Sequence, residues 1–254
     1  MAWDETASEH FTARHESEDT EDVAGVLELL EGTHERLAGV FPSVPQSTTV
    51  VVHGSDAALA LAEPIVPLVR RMTAPAARRY LVGWPGRTAI HVLAPRLLAA
   101  RASNVPGSRE MELLAPAALY AQVVVGANSG ELPPPFRVGS LVRAARWAWL
   151  VFGAGQWFSG QTPHARPAIG RRLREGGRPE FPPSLRDAPL LGGTVLDLLA
   201  REEGEAAVVR LVTQLPPCGP RGALVHAFHG RPLVHTEGTW RAHLARLAGQ
   251  PARD

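Results

Sequence analysis

The hydrophobic pattern of the chain changes near Ser108, and this change restricts the folds that the sequence can form. Before it, an amphipathic helix predicted over residues 20–39 precedes a β-branched run of strand length, Thr48–His53. After it, the apolar residues follow helical spacing almost throughout. This segregation predicts an α+β fold, with a small mixed sheet and helices in residues 1–106 and a mostly helical part in residues 107–254. We expect the two parts to form one compact unit.

Three further segments complete the predicted sheet. Glu9–Glu16 alternates polar and apolar residues and is predicted to be the first strand. Tyr80–Trp84 and Thr88–Leu93 flank a turn sequence containing Pro and Gly, so they are predicted to form a hairpin.

The second part is predicted to be a series of helices. Thr194 and Asp197 resemble a capping box that opens a helix, and Gly204 closes it. The other predicted helices cover residues 110–127, 137–158, 166–175, 220–229 and 236–247.

The composition excludes several classes of protein. No apolar run approaches the roughly 18 residues that a membrane-spanning helix needs. The acidic N-terminus lacks the features of a signal peptide, and a single cysteine, Cys218, excludes an internal disulfide framework. All 26 basic residues are arginine, which excludes Schiff-base, pyridoxal-phosphate, Walker A and protein-kinase chemistry, because each needs a lysine. We therefore expect a cytoplasmic protein with no membrane contact.

The charges are unevenly distributed along the chain. Residues 1–63 hold 13 acidic residues and 2 arginines, whereas residues 64–254 hold 12 acidic residues and 24 arginines. A basic segment, Arg166–Arg178, raises the hypothesis of a surface that binds nucleic acid. No zinc finger, RNP motif or interleaving of aromatic and basic residues accompanies it. Internal pairing between the two parts of the chain is therefore the favoured interpretation, and nucleic acid is not the expected partner.

Histidines near the C-terminus suggest one metal site. His226 and His229 are spaced to share a helix face, and His235 and Glu237 follow closely, so the group could supply three ligands. The alternative is a solvated helix end, where a cationic histidine also suits the helix dipole.

A non-zinc enzyme is a further possibility that the residues leave open. The sequence lacks a G-x-S-x-G nucleophile elbow, and Cys218 lies in a loop that favours a free thiol. The polar residues that such an enzyme would use are Gln156, Ser159, Gln161, His164, Arg186 and Asp187. Arg186 and Asp187 are also consistent with a structural ion pair.

Three sequence strings resemble the peptidase MA (gluzincin) metallopeptidases. Trp149–Gly160 is similar to the helix that presents the third zinc ligand in that family. Leu191–Leu199 followed by Glu203–Glu205 is similar to the family's downstream pair of helices. The segment from Ala227 to Trp240 is similar to the family's closing helices. The order of strands and helices agrees as well. The resemblance implies a gluzincin-like fold over most of the chain.

The family's zinc ligands and its general base are missing from this chain. No H-E-x-x-H string occurs. The resemblance aligns Leu119 with the first histidine, Tyr120 with the catalytic glutamate and Val123 with the second histidine. In an alternative register, Pro116, Ala117 and Tyr120 stand at these three positions. Phe152 stands at the third ligand.

The resemblance therefore implies a pseudo-peptidase that has no metal, cofactor or hydrolytic activity. Such a protein would bind a peptide or protein, or have a regulatory role. The binding surface would be a groove lined by the aromatic residues Tyr120, Trp147, Trp149, Phe152 and Trp157. We also expect Tyr120 or Val123 to pack against a buried Phe152, because interiors tolerate few voids.

Overall fold

A five-stranded mixed sheet forms the first part of the chain, as the sequence predicts. A computed structural model describes residues 3–86, 88–134 and 141–249. In spatial order the sheet runs β1-β2-β3-β5-β4. Pairing is antiparallel at both edges and parallel between β2, β3 and β5. The strands are β1 Trp3–Ala7, β2 Phe11–Glu16, β3 Thr48–His53, β4 Gly83–Pro85 and β5 Ala89–Leu93.

Helices cover the sheet and connect its parallel strands. The helix α1 (Thr20–Ala38) joins β2 to β3, because parallel neighbours need a long crossover connection. Its apolar stripe packs on β2, and alternate residues such as Phe11, Val50 and Val92 are buried in the core. The remaining helices of this part are α2 Asp56–Ala62, α3 Ile65–Met72, α4 Pro75–Arg78 and α5 Pro95–Arg101.

The regular elements of the second part are all helices in its described residues, joined by loops such as residues 175–187, which confirms the α+β class. Its helices are α6 Ser108–Leu113, α7 Ala115–Asn128, α8 Leu141–Arg146, α9 Ala148–Phe158, α10 Arg166–Arg174, α11 Ala188–Glu203, α12 Glu205–Thr213, α13 Gly219–Ala227 and α14 Leu233–Gly249.

The central layer consists of α7, α9 and α11. Glycines let the backbones of α9 and α11 approach closely: a Cβ added at Gly153 would lie 2.7 Å from the carbonyl carbon of Gly192. A Cβ at Gly192 would lie 2.4 Å from the backbone oxygen of Trp149. The helix α7 packs on the other side of α9 and also against the sheet and α1. It is buried on nearly all sides, so this layer is the core that joins the two parts.

Several sequence expectations need correction. Glu9–Glu16 is the second strand, because β1 pairs with it at the sheet edge. The helix predicted over residues 110–127 is two helices that meet at Leu114, since Pro116 has no N–H to continue α6. Likewise, the segment predicted over 137–158 contains α8 and α9, and its residues 137–140 lie outside the described residues.

The predicted capping box is also wrong. Thr194 lies inside α11, which already begins at Ala188. Its hydroxyl donates to the carbonyl of Leu191 (2.7 Å) and accepts a bond from the indole N–H of Trp240 (2.9 Å). Gly204 does end the helix, with a φ of 83°.

No helix in the described ranges is long and apolar enough to cross a membrane.

Candidate functional site

A narrow cleft lies between α7, α9 and the strand β4. This is where the gluzincin resemblance places a zinc site. Its free volume is about 30 Å³, which is room for a water molecule or two. The lining residues are Tyr80, Leu81, Val82, Gly83, Ala115, Ala118, Leu119, Gln122, Phe152, Gln156, Gln161 and Pro189.

The face of α7 that lines the cleft carries Ala118, Leu119 and Gln122, together with Ala115. A methyl group of Leu119 approaches β4 so closely that a Cβ at Gly83 would lie 2.5 Å from it. Phe152 enters from α9, and its ring is 6.3 Å from that of Trp84. The two helices are therefore adjacent, and Leu119 and Phe152 reduce the space between them.

Tyr120 lies on the opposite side of α7, because it is two positions from both Ala118 and Gln122. Its ring packs at 4.8 Å against Phe11, and its hydroxyl is 2.8 Å from Nδ1 of His34. The predicted packing of Tyr120 against Phe152 is therefore not formed. Val123 packs against the core and is not among the cleft residues. In the alternative register, Pro116 faces a different surface pocket near Arg96.

The side chains that line the cleft carry neither a carboxylate nor an imidazole. Two of its three amides have structural bonds: Gln156 donates to the carbonyl of Pro189 and accepts from the N–H of Gly193 (2.7 Å), and Gln161 donates to the carbonyl of Met111 (2.7 Å). These bonds hold α9, α11 and α6 together. The lining therefore does not fit a zinc ion, which needs imidazole, carboxylate or thiolate ligands.

Burial keeps the one phenol of the cleft uncharged. Burial, together with the nearby Glu112, raises the pKa of Tyr80 to about 12 against the opposing effect of three arginines. Burial also raises the pKa of Glu112 to about 7, against the opposing effects of Arg101 and Arg79. The Glu112 carboxylate accepts a bond from Nε of Arg79 (3.1 Å) and lies outside the cleft lining. It is thus an ion-pair partner, and the cleft has no general base.

The predicted aromatic groove does not form as a continuous surface. Of the residues expected to line it, only Phe152 reaches the cleft. Trp149 is 1% exposed and Trp147 is buried beside it, with ring centres 6.4 Å apart. Trp157 is half-buried against Phe158. Most of these rings therefore pack the core.

The histidines near the C-terminus do not form the predicted metal cluster. His229 pairs with Glu203 (Nε2 to Oε2, 3.0 Å), and His226 and His229 line a small pocket to which His235 does not contribute. Within the described residues no three His, Cys, Asp or Glu side chains are grouped so that they could hold a metal ion. The turn after α13 separates His235 from the other two, so the metal-site prediction for His226, His229 and His235 is wrong.

Several of the residues proposed for a non-zinc enzyme or a nucleic-acid surface have structural partners. Asp187 pairs with the buried Arg172 and not with Arg186. Ser159 donates to the carbonyl of Gln156 (3.3 Å). In the basic segment, Arg171 pairs with Glu175, and Arg178 approaches Glu237. Part of the positive charge of this segment is therefore compensated by acidic side chains of the same chain.

Sequence reasoning missed a buried histidine pair on the sheet. Nε2 of His53 is 3.0 Å from Nδ1 of His91, and Nε2 of His91 is 3.5 Å from Oε1 of Glu63. Burial, reinforced by His91, lowers the pKa of His53 to about 4. The signal was available, because the two histidines fall in the two adjacent strands predicted from the sequence.

Comparison with known proteins gives no family model that matches the chain, no curated protein of similar sequence and no solved structure of similar fold. The gluzincin resemblance therefore depends on the sequence strings alone.

Proposed function

We propose that this protein is a catalytically inactive, peptidase-like protein with a binding or regulatory role toward a peptide or protein in the cytoplasm. One observation carries the proposal. The helices α7 and α9 meet beside an edge strand, as a zinc peptidase requires, but the cleft between them presents Ala118, Leu119, Gln122 and Phe152. These side chains supply neither zinc ligands nor a base.

The register of α7 sharpens this proposal. In an H-E-x-x-H helix the two histidines are four residues apart on one face, and the glutamate follows the first. The cleft face fits that spacing with Ala118, Leu119 and Gln122 at the three positions. This is one residue earlier than the sequence alignment suggests. Phe152 keeps its place at the third ligand.

Replacing the ligands with apolar groups has a plain energetic reason. Buried imidazole and carboxylate groups are costly unless a metal or a partner compensates them. Without zinc, an apolar filling avoids that cost and removes the void. The scaffold is then retained for a purpose other than hydrolysis.

Zinc content and proteolysis test the absence of catalysis. Because the cleft lacks ligands, we expect the purified protein to contain less than stoichiometric zinc by mass spectrometry and to cleave neither casein nor a peptide library. One zinc per chain that resists mild chelation would contradict the proposal.

Restoring the ligands tests the peptidase-like geometry itself. The variant Ala118→His, Leu119→Glu, Gln122→His, Phe152→Glu should bind zinc, because its four side chains face one cleft. The matched control is Leu119→His, Tyr120→Glu, Val123→His, Phe152→Glu, which places Glu against Phe11 and should bind no zinc. Equal zinc binding by the two variants, or none by the first when circular dichroism shows that it is folded, would contradict the proposal.

A further inference from the structure

A cavity of about 830 Å³ lies beside the N-terminal end of α9, away from the cleft residues Phe152 and Gln156 along the helix. The end of α8, the loop 178–184, the start of α13 and one face of α14 surround it. Pockets of this size accommodate small organic molecules. The cavity is open, and its surface is about equally polar and apolar.

The charged residues around this cavity are mostly arginines. Arg241 is held by Glu237 (2.6 Å) and donates to the carbonyl of Pro179 (2.9 Å), and Arg178 approaches the same Glu237 at 3.5 Å. Arg146 and Arg221 also line the cavity, and among the described residues neither has a carboxylate partner. Glu180 is the other acidic residue of the lining. Positive charge therefore exceeds negative charge here.

The unpaired arginines lie at the start of α13. This helix begins at Gly219 and has no side-chain cap, so the N–H groups of its first turn lack a side-chain acceptor, except at Pro220, which carries no N–H. Nη2 of Arg146 is so close that a Cβ at Gly219 would lie 2.5 Å from it. A guanidinium next to the positive end of a helix is electrostatically unfavourable unless an anion lies between or beside them.

A second observation concerns Trp149, which lines the same cavity. Its side chain is almost fully buried, and its indole N–H has no acceptor among the described residues. The indole nitrogen is itself closed off from solvent, so this N–H is an unpaired donor beside the cavity and not part of its open surface. The donors around this cavity thus outnumber the acceptors that the described residues supply.

We propose that this cavity binds a small organic anion. A carboxylate or phosphate group is held by Arg146, Arg221 and the start of α13, because the guanidinium fork and a helix N-terminus both suit such groups. The apolar part of the ligand lies against Phe181 and the prolines beside it. This site is separate from the cleft, so its occupancy does not depend on the proposed loss of peptidase chemistry.

Cys218 provides a reporter inside the site. It is the single cysteine of the chain, it is exposed, and it lines the cavity. We expect phenyl phosphate or benzoate to slow its alkylation by iodoacetamide, a neutral reagent, in a saturable way. Benzyl alcohol, which has the ring but no charge, should give no protection. Comparison of phenyl phosphate, benzoate and inorganic phosphate shows which anionic group the site prefers.

Arginine variants assign the protection to this site. Arg146→Gln combined with Arg221→Gln should weaken protection at least tenfold, which corresponds to about 1.4 kcal/mol. Arg71→Gln removes the same kind of charge from an exposed position on α3. It should change the protection of Cys218 by less than about twofold. The proposal is overturned if none of the anions slows the alkylation of Cys218 at a concentration of about 10 mM. It is also overturned if the anions protect Cys218 in the double variant as well as they do in Arg71→Gln. Zinc analysis does not report on this site, so the two proposals fail independently.

Discussion

Phe152 has a smaller structural role than its position in the sequence suggests. It was expected to be fully buried against Tyr120 or Val123, whereas it is half-buried beside Leu119 and Trp84. A fully buried phenylalanine loses about 3–5 kcal/mol on truncation to alanine. Phe152, which the sequence resemblance aligns with the third zinc ligand, therefore contributes only part of that stabilisation.

We accordingly expect Phe152→Ala to lower the free energy of unfolding by about 1–3 kcal/mol, because part of the ring remains exposed. Phe11→Ala is the matched control, since Phe11 is 2% exposed and packs on Tyr120. Phe11→Ala should lower the free energy of unfolding by about 3–5 kcal/mol. Urea denaturation measures both, and an equal loss would show that Phe152 is a full member of the core.

At the scale of helices, the contact between α9 and α11 depends on glycine. Gly192 and Gly153 leave no room for a methyl group, because the nearest atoms are backbone atoms that cannot rotate away. Gly25 in α1 is the opposite case, since nothing lies within 4 Å of an added Cβ.

Substitution by alanine should therefore have opposite signs at these positions. Gly192→Ala should lower the free energy of unfolding by about 2–3 kcal/mol, because α9 and α11 must move apart. Gly25→Ala should raise it by about 0.5–1 kcal/mol, because glycine disfavours a helix interior. Thermal and urea unfolding of both variants measure the difference. A neutral Gly192→Ala would mean that the two helices are not tightly packed.

Between the strands β3 and β5, the histidine pair makes stability depend on pH. Burial lowers the pKa of His53 from 6.5 to about 4, so the unfolded chain binds a proton that the folded chain does not between these values. Stability contributed by neutral His53 is therefore present above about pH 6.5 and is lost as the pH falls toward 4. The loss reaches about 3 kcal/mol.

His53→Gln should remove most of this loss. Burial raises the pKa of Glu63, which faces His91, and that effect has the opposite sign on acidification. The effect of Glu63 is present in both proteins. The difference in the free energy of unfolding between the wild type and the variant therefore reports the contribution of His53. Urea denaturation at pH values from 7 to 4 measures that difference. His226→Gln, at an exposed position, is the control, and a His53 variant with the same pH profile as the control would contradict the prediction.

For the whole molecule, the parts that could be predicted are those with a clear hydrophobic period. The helix α1 and the strand β3 were predicted nearly to the residue, because their apolar spacing is regular. The strand β1 was missed, because Trp3–Ala7 is a mostly exposed edge strand with no buried face. Its position is set by pairing with β2 and not by its own sequence.

The candidate sites show the same limit. The meeting of α7 and α9 could be predicted from the sequence strings, but the facing residues were one position off. The reason is that α7 is buried nearly all round, so its hydrophobic pattern does not indicate which side faces the cleft. The arginine-lined cavity could not be predicted at all, because four segments distant in the chain form it.

The expected boundary between residues 1–106 and 107–254 is crossed by polar contacts as well as by the core. Tyr120 bonds to His34 (2.8 Å), and Glu112 bonds to Arg79 (3.1 Å). The N–H of Ala74 donates to the carbonyl of Arg186 (2.8 Å). Separating the two parts would therefore expose the buried sides of α7 and leave these groups without partners.

We expect the chain to unfold in one cooperative transition, because neither part keeps a complete core without the other. Hydrogen exchange in increasing urea should give the same opening free energy for amides of β3, in the first part, and of α11, in the second. A fluorophore on Cys218 should report a urea midpoint equal to that of far-ultraviolet circular dichroism. Two separated midpoints, with β3 and α11 opening at different free energies, would show instead that residues 1–106 and 107–254 are independent domains.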